Sequence, residues 1–331
     1  VLLALAVPVL SLDTGMPSIK VVPAGDTSRQ GYELVQQEFG PGAPGALQEV
    51  APAADGKLFT LLPSAYTGVR FSNDLKESSD VNVFTYRNFY NGGGVAIGDV
   101  NNDGWADIYV TSNFEENHLY LNKGKNATDL WKFDDVTIRA GVEGAKAWST
   151  GATFADVNGD GLMDIYVCNA GNIKGDSRGN ELFINQGIGP DGVPKFIDKA
   201  TEYGLLDGGF STHAAFFDYD RDGDLDMYLL NNSFTPVDKL QYQNFRKYRD
   251  ALGGHKLFRN ETVSSQSTVN SRKEIAVSNQ NTNKNQTQKP IFTDVSEEAG
   301  IYGSLIAFGL GITIGDVNDD NWLDIYISND F

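Results

Sequence analysis

The chain has little of what many protein functions require. Of its 331 residues one is cysteine, Cys168, so no disulfide can form within the chain, and three are histidine. The apolar run at residues 1–10 is shorter than the ~20 residues that span a bilayer. Lysine and arginine number 26 against 44 aspartates and glutamates, which gives a net charge of −18. A charge of this sign disfavours nucleic acid and anionic membrane surfaces as partners.

The sequence signatures of several enzyme classes are also missing. The chain contains no GxSxG, HExxH, phosphate-loop or CxxC motif. His118, His213 and His255 are far apart in the sequence and fall within or beside predicted strands, where packing or surface exposure explains them more simply than catalysis does. We therefore predict that the protein is not an enzyme. His213, which precedes a repeated loop, is the histidine best placed to take part in a site.

What the chain does contain is one nine-residue pattern that occurs four times. DVNNDGWAD begins at Asp99, DVNGDGLMD at Asp156, DYDRDGDLD at Asp218 and DVNDDNWLD at Asp316. Positions 1, 3, 5 and 9 carry side-chain oxygens. Position 6 is Gly three times and Asn once, the residues that best tolerate a left-handed backbone. Alternating oxygen ligands around a tight turn are typical of a loop folded around Ca²⁺, which prefers six to eight oxygens.

The pattern therefore predicts up to four Ca²⁺ sites, here called loops 1 to 4. The side chains at positions 1, 3, 5 and 9 and the backbone carbonyl at position 7 are the predicted ligands. These residues are Asp99, Asn101, Asp103, Trp105 and Asp107 in loop 1; Asp156, Asn158, Asp160, Leu162 and Asp164 in loop 2; Asp218, Asp220, Asp222, Asp224 and Asp226 in loop 3; and Asp316, Asn318, Asp320, Trp322 and Asp324 in loop 4. The alternative is a set of hairpin turns without metal.

The segments around the loops predict an all-β fold. Each loop runs into an apolar, β-branched and aromatic segment (ADIYVTSN, MDIYVCNA, LDMYLLNN, LDIYISND), whereas a helix-flanked calcium hand would continue into a helix after a glutamate at position 12. Three to four short strands in each unit of about 60 residues indicate the blades of a β-propeller. About four blades are recognisable and the last is incomplete, so we expect the chain to be a fragment of a longer protein.

The sequence outside the repeats has a different character. Residues 1–56 are apolar and then rich in Gly and Pro, residues 57–331 form the predicted partial propeller, and residues 261–290 are predicted to be a disordered polar insertion. Residues 11–56 resemble the start of the extracytoplasmic domain of large mycobacterial-type membrane transporters, which implies that two unrelated pieces join near residues 54–57. We expect membrane attachment only through a missing or partial N-terminal segment.

The repeats resemble a known family across residues 58–331. The segments that carry the resemblance include FTYRNFYNGGGVAIGDVNNDGWADIYVTSN, WSTGATFADVNGDGLMDIYVCNAGN and FSTHAAFFDYDRDGDLDMYLLNN. They are similar to FG-GAP or VCBS-type repeat proteins, above all to bacterial relatives of cartilage acidic protein, and integrin α-subunits carry similar repeats. The resemblance implies a β-propeller with calcium loops that is secreted or held at the cell surface in an adhesive or ligand-binding role. Asn321, the polar insertion and the N-terminus depart from the family pattern.

Two functions are compatible with this reading. We expect mainly a calcium-stabilised binding or adhesion scaffold that is extracellular, at the cell surface or periplasmic, with an extracellular protein or carbohydrate as its partner, because calcium is abundant outside cells. The alternative is a calcium-dependent polysaccharide lyase or another carbohydrate-active propeller, in which Ca²⁺ neutralises a uronate and a nearby basic residue removes a proton. Trp105, Trp148 and Tyr90 are expected either to stack on carbohydrate or to pack between blades.

Overall fold

The computed structural model describes residues 48–49, 60–125, 131–144, 148–170, 179–233, 248–261 and 292–329. The chain divides into two compact units, residues 1–64 and 65–331. In the first unit, β1 (Gln48–Glu49) pairs antiparallel with β2 (Thr60–Leu61). The predicted N-terminal segment 1–56, apart from Gln48 and Glu49, and the predicted insertion 261–290, apart from Glu261, lie outside the described residues.

The second unit consists of antiparallel sheets, each made of consecutive strands, so the all-β prediction is confirmed. Sheet 1 contains β3 (Val95–Gly98), β4 (Asp107–Val110), β5 (His118–Lys125) and β6 (Trp131–Asp135). Sheet 2 contains β7 (Ser149–Ala155), β8 (Asp164–Asn169), β9 (Glu181–Ile188) and β10 (Pro194–Asp198). Sheet 3 contains β11 (Ser211–Phe217), β12 (Asp226–Asn231), β13 (Lys256–Asn260) and β14 (Phe292–Asp294), and sheet 4 contains β15 (Gly309–Gly315) and β16 (Asp324–Asn329).

The described helices are single turns. They are α1 (Ser64–Thr67), α2 (Thr137–Ala140) and α3 (Ala200–Tyr203). In the described part of the chain, no helix has the length and apolar character needed to cross a lipid bilayer. The last two helices follow the fourth strands of sheets 1 and 2, and each ends at a glycine with a left-handed backbone, Gly141 at φ 78° and Gly204 at φ 75°.

The second strand of sheet 2 is buried on both faces. All six residues of β8 are buried. Ile165 and Val167 face a hydrophobic cluster shared with sheet 1, whereas Tyr166 and Cys168 face a cluster shared with sheet 3. Sheet 2 therefore lies between two neighbours. A strand that is buried on both faces has a nearly continuous apolar sequence, as the MDIYVCNA segment has.

The first strands of neighbouring sheets lie side by side. The Thr153 hydroxyl of β7 donates to the Ala214 carbonyl of β11 at 2.7 Å, and the Thr212 hydroxyl donates to the Gly309 carbonyl of β15 at 2.9 Å. A side chain at Gly151 would place its Cβ 2.5 Å from the Thr212 carbonyl oxygen, so glycine is required for this approach. The close contact between β7, β11 and β15 fixes the position of the loops that follow these strands.

A turn-rich segment before β3 packs against sheets 1 and 2 through its aromatic residues. Phe89 is 0% exposed, with its ring centroid 5.4 Å from that of Trp148 and 6.3 Å from that of Phe114. Trp148 is itself buried, which favours packing over carbohydrate stacking for this residue. Phe84, in the same segment, is 96% exposed.

We predict that Phe89→Ala lowers the free energy of unfolding by about 3–5 kcal/mol, because it leaves a cavity among buried aromatic rings. Phe84→Ala is the matched control and should change stability by less than about 0.5 kcal/mol, since the exposed ring loses little contact. Urea unfolding followed by tryptophan fluorescence measures both values. Equal effects of the two variants would show that Phe89 does not hold this segment in place.

Candidate metal sites

The four loops share one backbone shape, and each connects the first strand of its sheet to the second. Position 6 has a positive φ in every loop: 87° at Gly104, 84° at Gly161, 97° at Gly223 and 67° at Asn321. Asn321, the exception to glycine in the pattern, adopts the same left-handed backbone as the glycines. The loop shape that the sequence pattern predicts therefore exists in all four copies.

Position 4 is also left-handed, which the sequence analysis missed. The residues are Asn102 (φ 55°), Gly159 (φ 69°), Arg221 (φ 65°) and Asp319 (φ 59°). Asn, Gly and Asp at three of these positions were a usable signal, because they are the residue types that tolerate this region best. The pattern was not recognisable in loop 3, because its position 4 is Arg221 and arginine has no preference for a left-handed backbone.

Side-chain oxygens at positions 1 and 3 turn inward toward the loop backbone. In loop 1, the Asp103 N–H donates to Asp99 Oδ1 and to Asn101 Oδ1, both at 3.1 Å, and the Gly104 N–H donates to Asp99 Oδ2 at 2.7 Å. The corresponding bonds recur in loops 2 and 4. These bonds would also hold a hairpin turn without metal. Each oxygen nevertheless keeps a lone pair for a cation.

Loop 3 brings the most carboxylates together. One oxygen from each of Asp218, Asp220 and Asp222 lies within 4.8 Å of the others. Ligands that share one Ca²⁺ at about 2.3–2.6 Å lie at most about 5 Å apart. In addition, Asp220 Oδ1 and both oxygens of Asp224 are buried without a hydrogen-bond partner. Buried carboxylate oxygens without partners are costly, so this donor set fits a divalent cation.

In loops 1 to 3, the aspartate at position 9 joins the start of its loop to the third strand of its sheet. Asp107 accepts the Val100 N–H on Oδ2 at 3.0 Å and the N–H of Asn122, on the third strand, on Oδ1 at 2.8 Å. The same pair of bonds reaches Asp164 at 3.1 and 2.8 Å and Asp226 at 2.9 Å each. In loop 4, Asp324 accepts the position 2 N–H at 2.9 Å. Position 9 is therefore a structural link as well as a candidate ligand.

The partners of position 9 are asparagines on the third strands, which were not predicted from the sequence. They are Asn122 in sheet 1, Asn185 in sheet 2 and Asn260 in sheet 3. The signal was present, because an asparagine recurs in the third-strand segments HLYLNKG, ELFINQG and HKLFRNE. Its role could not be recognised without the pairing of the second and third strands.

The position 9 carboxylates of loops 1 to 3 lie where little solvent reaches them. Burial raises the pKa of Asp107 to about 6, that of Asp164 to about 7 and that of Asp226 to about 6, although the two N–H donors on each carboxylate work against this rise. Burial, and then the neighbouring Asp222, raise the pKa of Asp224 to about 7. A divalent cation in such a loop would favour the charged carboxylates.

The histidines do not form a site together. His118 Nδ1 lies 2.8 Å from Asp135 Oδ2, and buried His255 accepts the Asn231 N–H at 3.2 Å. His213 borders a cleft of about 530 Å³, lined also by Tyr86, Asn88 and the first strands of sheets 2, 3 and 4. Burial lowers the pKa of His213, so its imidazole is neutral at pH 7.

Part of the chain matches a known protein family. Residues 99–167 match the FG-GAP-like repeat family. This segment runs from the first residue of loop 1 to β8 and contains loops 1 and 2 complete. The chain thus contains an FG-GAP-like repeat, and its sheets of antiparallel strands are consistent with a repeat protein of the β-propeller type. No curated protein matches the chain.

We predict that, in the presence of a chelator, stability falls as pH rises from about 6.5 to 8. The pKa values of Asp164 and Asp224 are about 7 in the folded protein but ~3.9 in an unfolded chain, so the stability gained from their protonation is lost as they ionise. His213 and His255 have lowered pKa values and act in the opposite direction, but only below about 6.5. The melting temperature at each pH measures the effect.

Asp164→Asn provides the comparison for this experiment, because an amide cannot ionise. The variant should show a lower melting temperature and a shallower fall above pH 6.5. A melting temperature of the original protein that stays level or rises across this interval would contradict the raised pKa values.

Proposed function

We propose that the protein is a calcium-stabilised scaffold of the β-propeller type that presents a binding surface outside the cytoplasm. The observation that carries the proposal is loop 3, where Asp218, Asp220 and Asp222 converge and oxygens of Asp220 and Asp224 are buried without partners. Loops 1, 2 and 4 share the left-handed backbone at positions 4 and 6 and carry oxygen-bearing side chains at the same sequence positions, so up to four Ca²⁺ ions are proposed.

The proposed role of the metal is structural. Positions 1, 3 and 5 would hold the ion inside the turn, and the ion would balance charge that the folded loop otherwise concentrates. Position 9 already joins the loop to the third strand, as Asp107 does through Asn122. Ordering the loop would therefore order the first three strands of the sheet.

The proposed location follows from the supply of calcium. Loops of this kind outside cells bind Ca²⁺ with dissociation constants of ~10⁻⁴–10⁻³ M, concentrations found in extracellular fluids and not in the cytoplasm. A buried Cys168, whose pKa is raised by burial, is compatible with an oxidising compartment because the thiol is protected. An extracellular protein or a carbohydrate is the proposed partner, by analogy with adhesive repeat proteins.

Neither His213 nor Arg259 is suited to remove a proton beside loop 3, which favours the scaffold over a lyase. His213 lies near the start of β11 and Asp218 follows its end, so five residues or about 16 Å of strand separate them. Arg259 lies beside loop 3, where hydrogen bonds from its guanidinium to Glu261 and Tyr219 raise its already high pKa further. A guanidinium held in its charged form is a poor base for removing a proton.

Calcium should raise the melting temperature of the chelator-treated protein by several degrees. At 10 mM Ca²⁺, a site with a dissociation constant of ~10⁻⁴ M adds about 2.7 kcal/mol to the free energy of unfolding. Differential scanning fluorimetry in EDTA, in 10 mM Ca²⁺ and in 10 mM Mg²⁺ measures the shift and its selectivity. Equal melting temperatures in EDTA and calcium would contradict a structural metal.

Asp222→Asn should weaken calcium binding at loop 3 by ~10-fold or more, because it removes one of the converging charges while keeping the side-chain shape. Asp80→Asn is the matched control, since Asp80 is exposed and lies outside the loops. Isothermal titration calorimetry compares the two variants. Equal loss of affinity in both would indicate a response to net charge and not to a site.

Lyase activity has a direct assay. The scaffold proposal predicts no rise in absorbance near 235 nm, where the unsaturated uronate product absorbs, when the protein is incubated with pectic polysaccharides and calcium. A rate that depends on calcium and disappears in Arg259→Gln would replace the scaffold with the lyase.

A further inference from the structure

Four separate loops in the sequence suggest four independent sites, but hydrogen bonds connect the loops in the folded chain. We propose that cation binding at loops 1, 2 and 3 is positively coupled, and that Asn185 and Asn260 are the residues that transmit the coupling. The inference rests on the proposed metal binding and adds a regulation of the same sites. It follows from two links of the same construction and two contacts at the loop surface.

The first link joins loop 1 to loop 2 through the peptide groups of Val100. The Val100 N–H donates to Asp107 Oδ2, a candidate ligand of loop 1, at 3.0 Å. The Val100 carbonyl accepts the side-chain amide of Asn185 at 2.9 Å. The backbone N–H of Asn185 donates to Asp164 Oδ1, a candidate ligand of loop 2, at 2.8 Å. All four residues are buried, so water does not compete for these bonds.

The second link repeats the arrangement between loops 2 and 3. Asp164 Oδ2 accepts the Val157 N–H at 3.1 Å, and the Val157 carbonyl accepts the side-chain amide of Asn260 at 3.4 Å. The Asn260 N–H donates to Asp226 Oδ1 at 2.9 Å. The two oxygens of Asp164 thus belong to different links. Because the bond from Asn260 to Val157 is longer than its counterpart in the first link, we expect weaker coupling between loops 2 and 3 than between loops 1 and 2.

Side chains at position 4 add contacts at the surface. The Asn102 amide in loop 1 donates to the Gly161 carbonyl in loop 2 at 3.1 Å. In loop 3, the Arg221 guanidinium lies 5.0 Å from the centroid of the Trp322 ring in loop 4. Loop 4 is therefore joined to loop 3 by this exposed contact, whereas loops 1, 2 and 3 are joined by buried hydrogen bonds.

The coupling has a simple physical origin. A cation that fixes Asp164 also fixes Asn185 and Val100, and so restricts Asp107 before loop 1 binds its own ion. The entropy lost by ordering these shared groups is lost once and not twice, which favours the second binding event. Hydrogen bonds in series inside a protein also strengthen one another. Coupling between sites commonly changes affinity about 5-fold or more.

Terbium is a suitable probe because the loops differ at position 7. Loops 1 and 4 carry Trp105 and Trp322 there, whereas loops 2 and 3 carry Leu162 and Asp224. Tryptophan-sensitised Tb³⁺ luminescence therefore reports loop 1 in a Trp322→Phe background and loop 4 in a Trp105→Phe background. The full chain, treated with chelator and dialysed, is titrated with Tb³⁺ in each background.

The decisive variants are Asp160→Ala, which removes an exposed ligand of loop 2, and Asn185→Ala, which breaks the first link. Each should weaken Tb³⁺ binding at loop 1 about 5-fold or more while changing loop 4 little. Asn122→Ala is the control for Asn185, because the side-chain amide of Asn122 donates to Ala106 within its own sheet. It should leave the effect of Asp160→Ala on loop 1 in place, whereas Asn185→Ala should abolish that effect.

Asn102→Gly tests the surface link with little risk to folding, since the residue is exposed and glycine accepts its positive φ. It should weaken loop 1 less than Asn185→Ala does. Failure of Tb³⁺ and Ca²⁺ to bind at all would overturn the proposed metal sites and the coupling with them. Normal binding with a loop 1 affinity that Asp160→Ala leaves unchanged would overturn the coupling alone.

Discussion

The structure depends most on the buried carboxylates at the ends of loops 1, 2 and 3. Asp107, Asp164 and Asp226 each accept one N–H from the start of the loop and one from the third strand of the same sheet. A carboxylate can serve both donors because it has two oxygens and up to four lone pairs. One side chain thereby fixes the loop, the strand that follows it and the strand beyond. Burial also raises the pKa of each of these carboxylates. The residue that links the strands therefore also makes the stability of the sheet depend on pH.

Apolar packing between sheets occurs along the strands, whereas the carboxylates lie in the loops at the ends of the same strands. Alternate residues of β8 and β12 face opposite hydrophobic clusters, and those clusters join sheets 2 and 3 to the sheet on either side. The loops lie at one end of these strands. Val100 and Val157, at position 2 of loops 1 and 2, still pack into the clusters, whereas carboxylates at positions 1, 3 and 5 converge in loop 3. A bound divalent ion would supply at that end the cohesion that apolar contacts supply along the strands. Such an ion would also offset the repulsion between neighbouring aspartates in a protein whose net charge is −18.

Much of this arrangement could be predicted from the sequence, because it is local and repeated. The positive φ of Asn321, the strands on either side of each loop and the number of sheets follow from a nine-residue pattern and the apolar segments beside it. The roles of Asn185 and Asn260 could not be predicted, since they depend on the register of the third strand and on the neighbouring sheet. Arg221 concealed the left-handed backbone at position 4 because its residue type gives no indication of it. The ligands themselves remain a prediction from residue type and spacing, which the convergence in loop 3 supports.

The measurement that tests the account most directly is a crystal structure of the protein grown in millimolar calcium, with anomalous scattering recorded at long wavelength. The account predicts anomalous peaks within the loops, each with oxygens of positions 1, 3, 5 and 9 and the carbonyl of position 7 at about 2.3–2.6 Å. The peak in loop 3 should contact Asp218, Asp220 and Asp222. Well-ordered loops that carry no anomalous peak, with these three carboxylates directed into solvent, would contradict it.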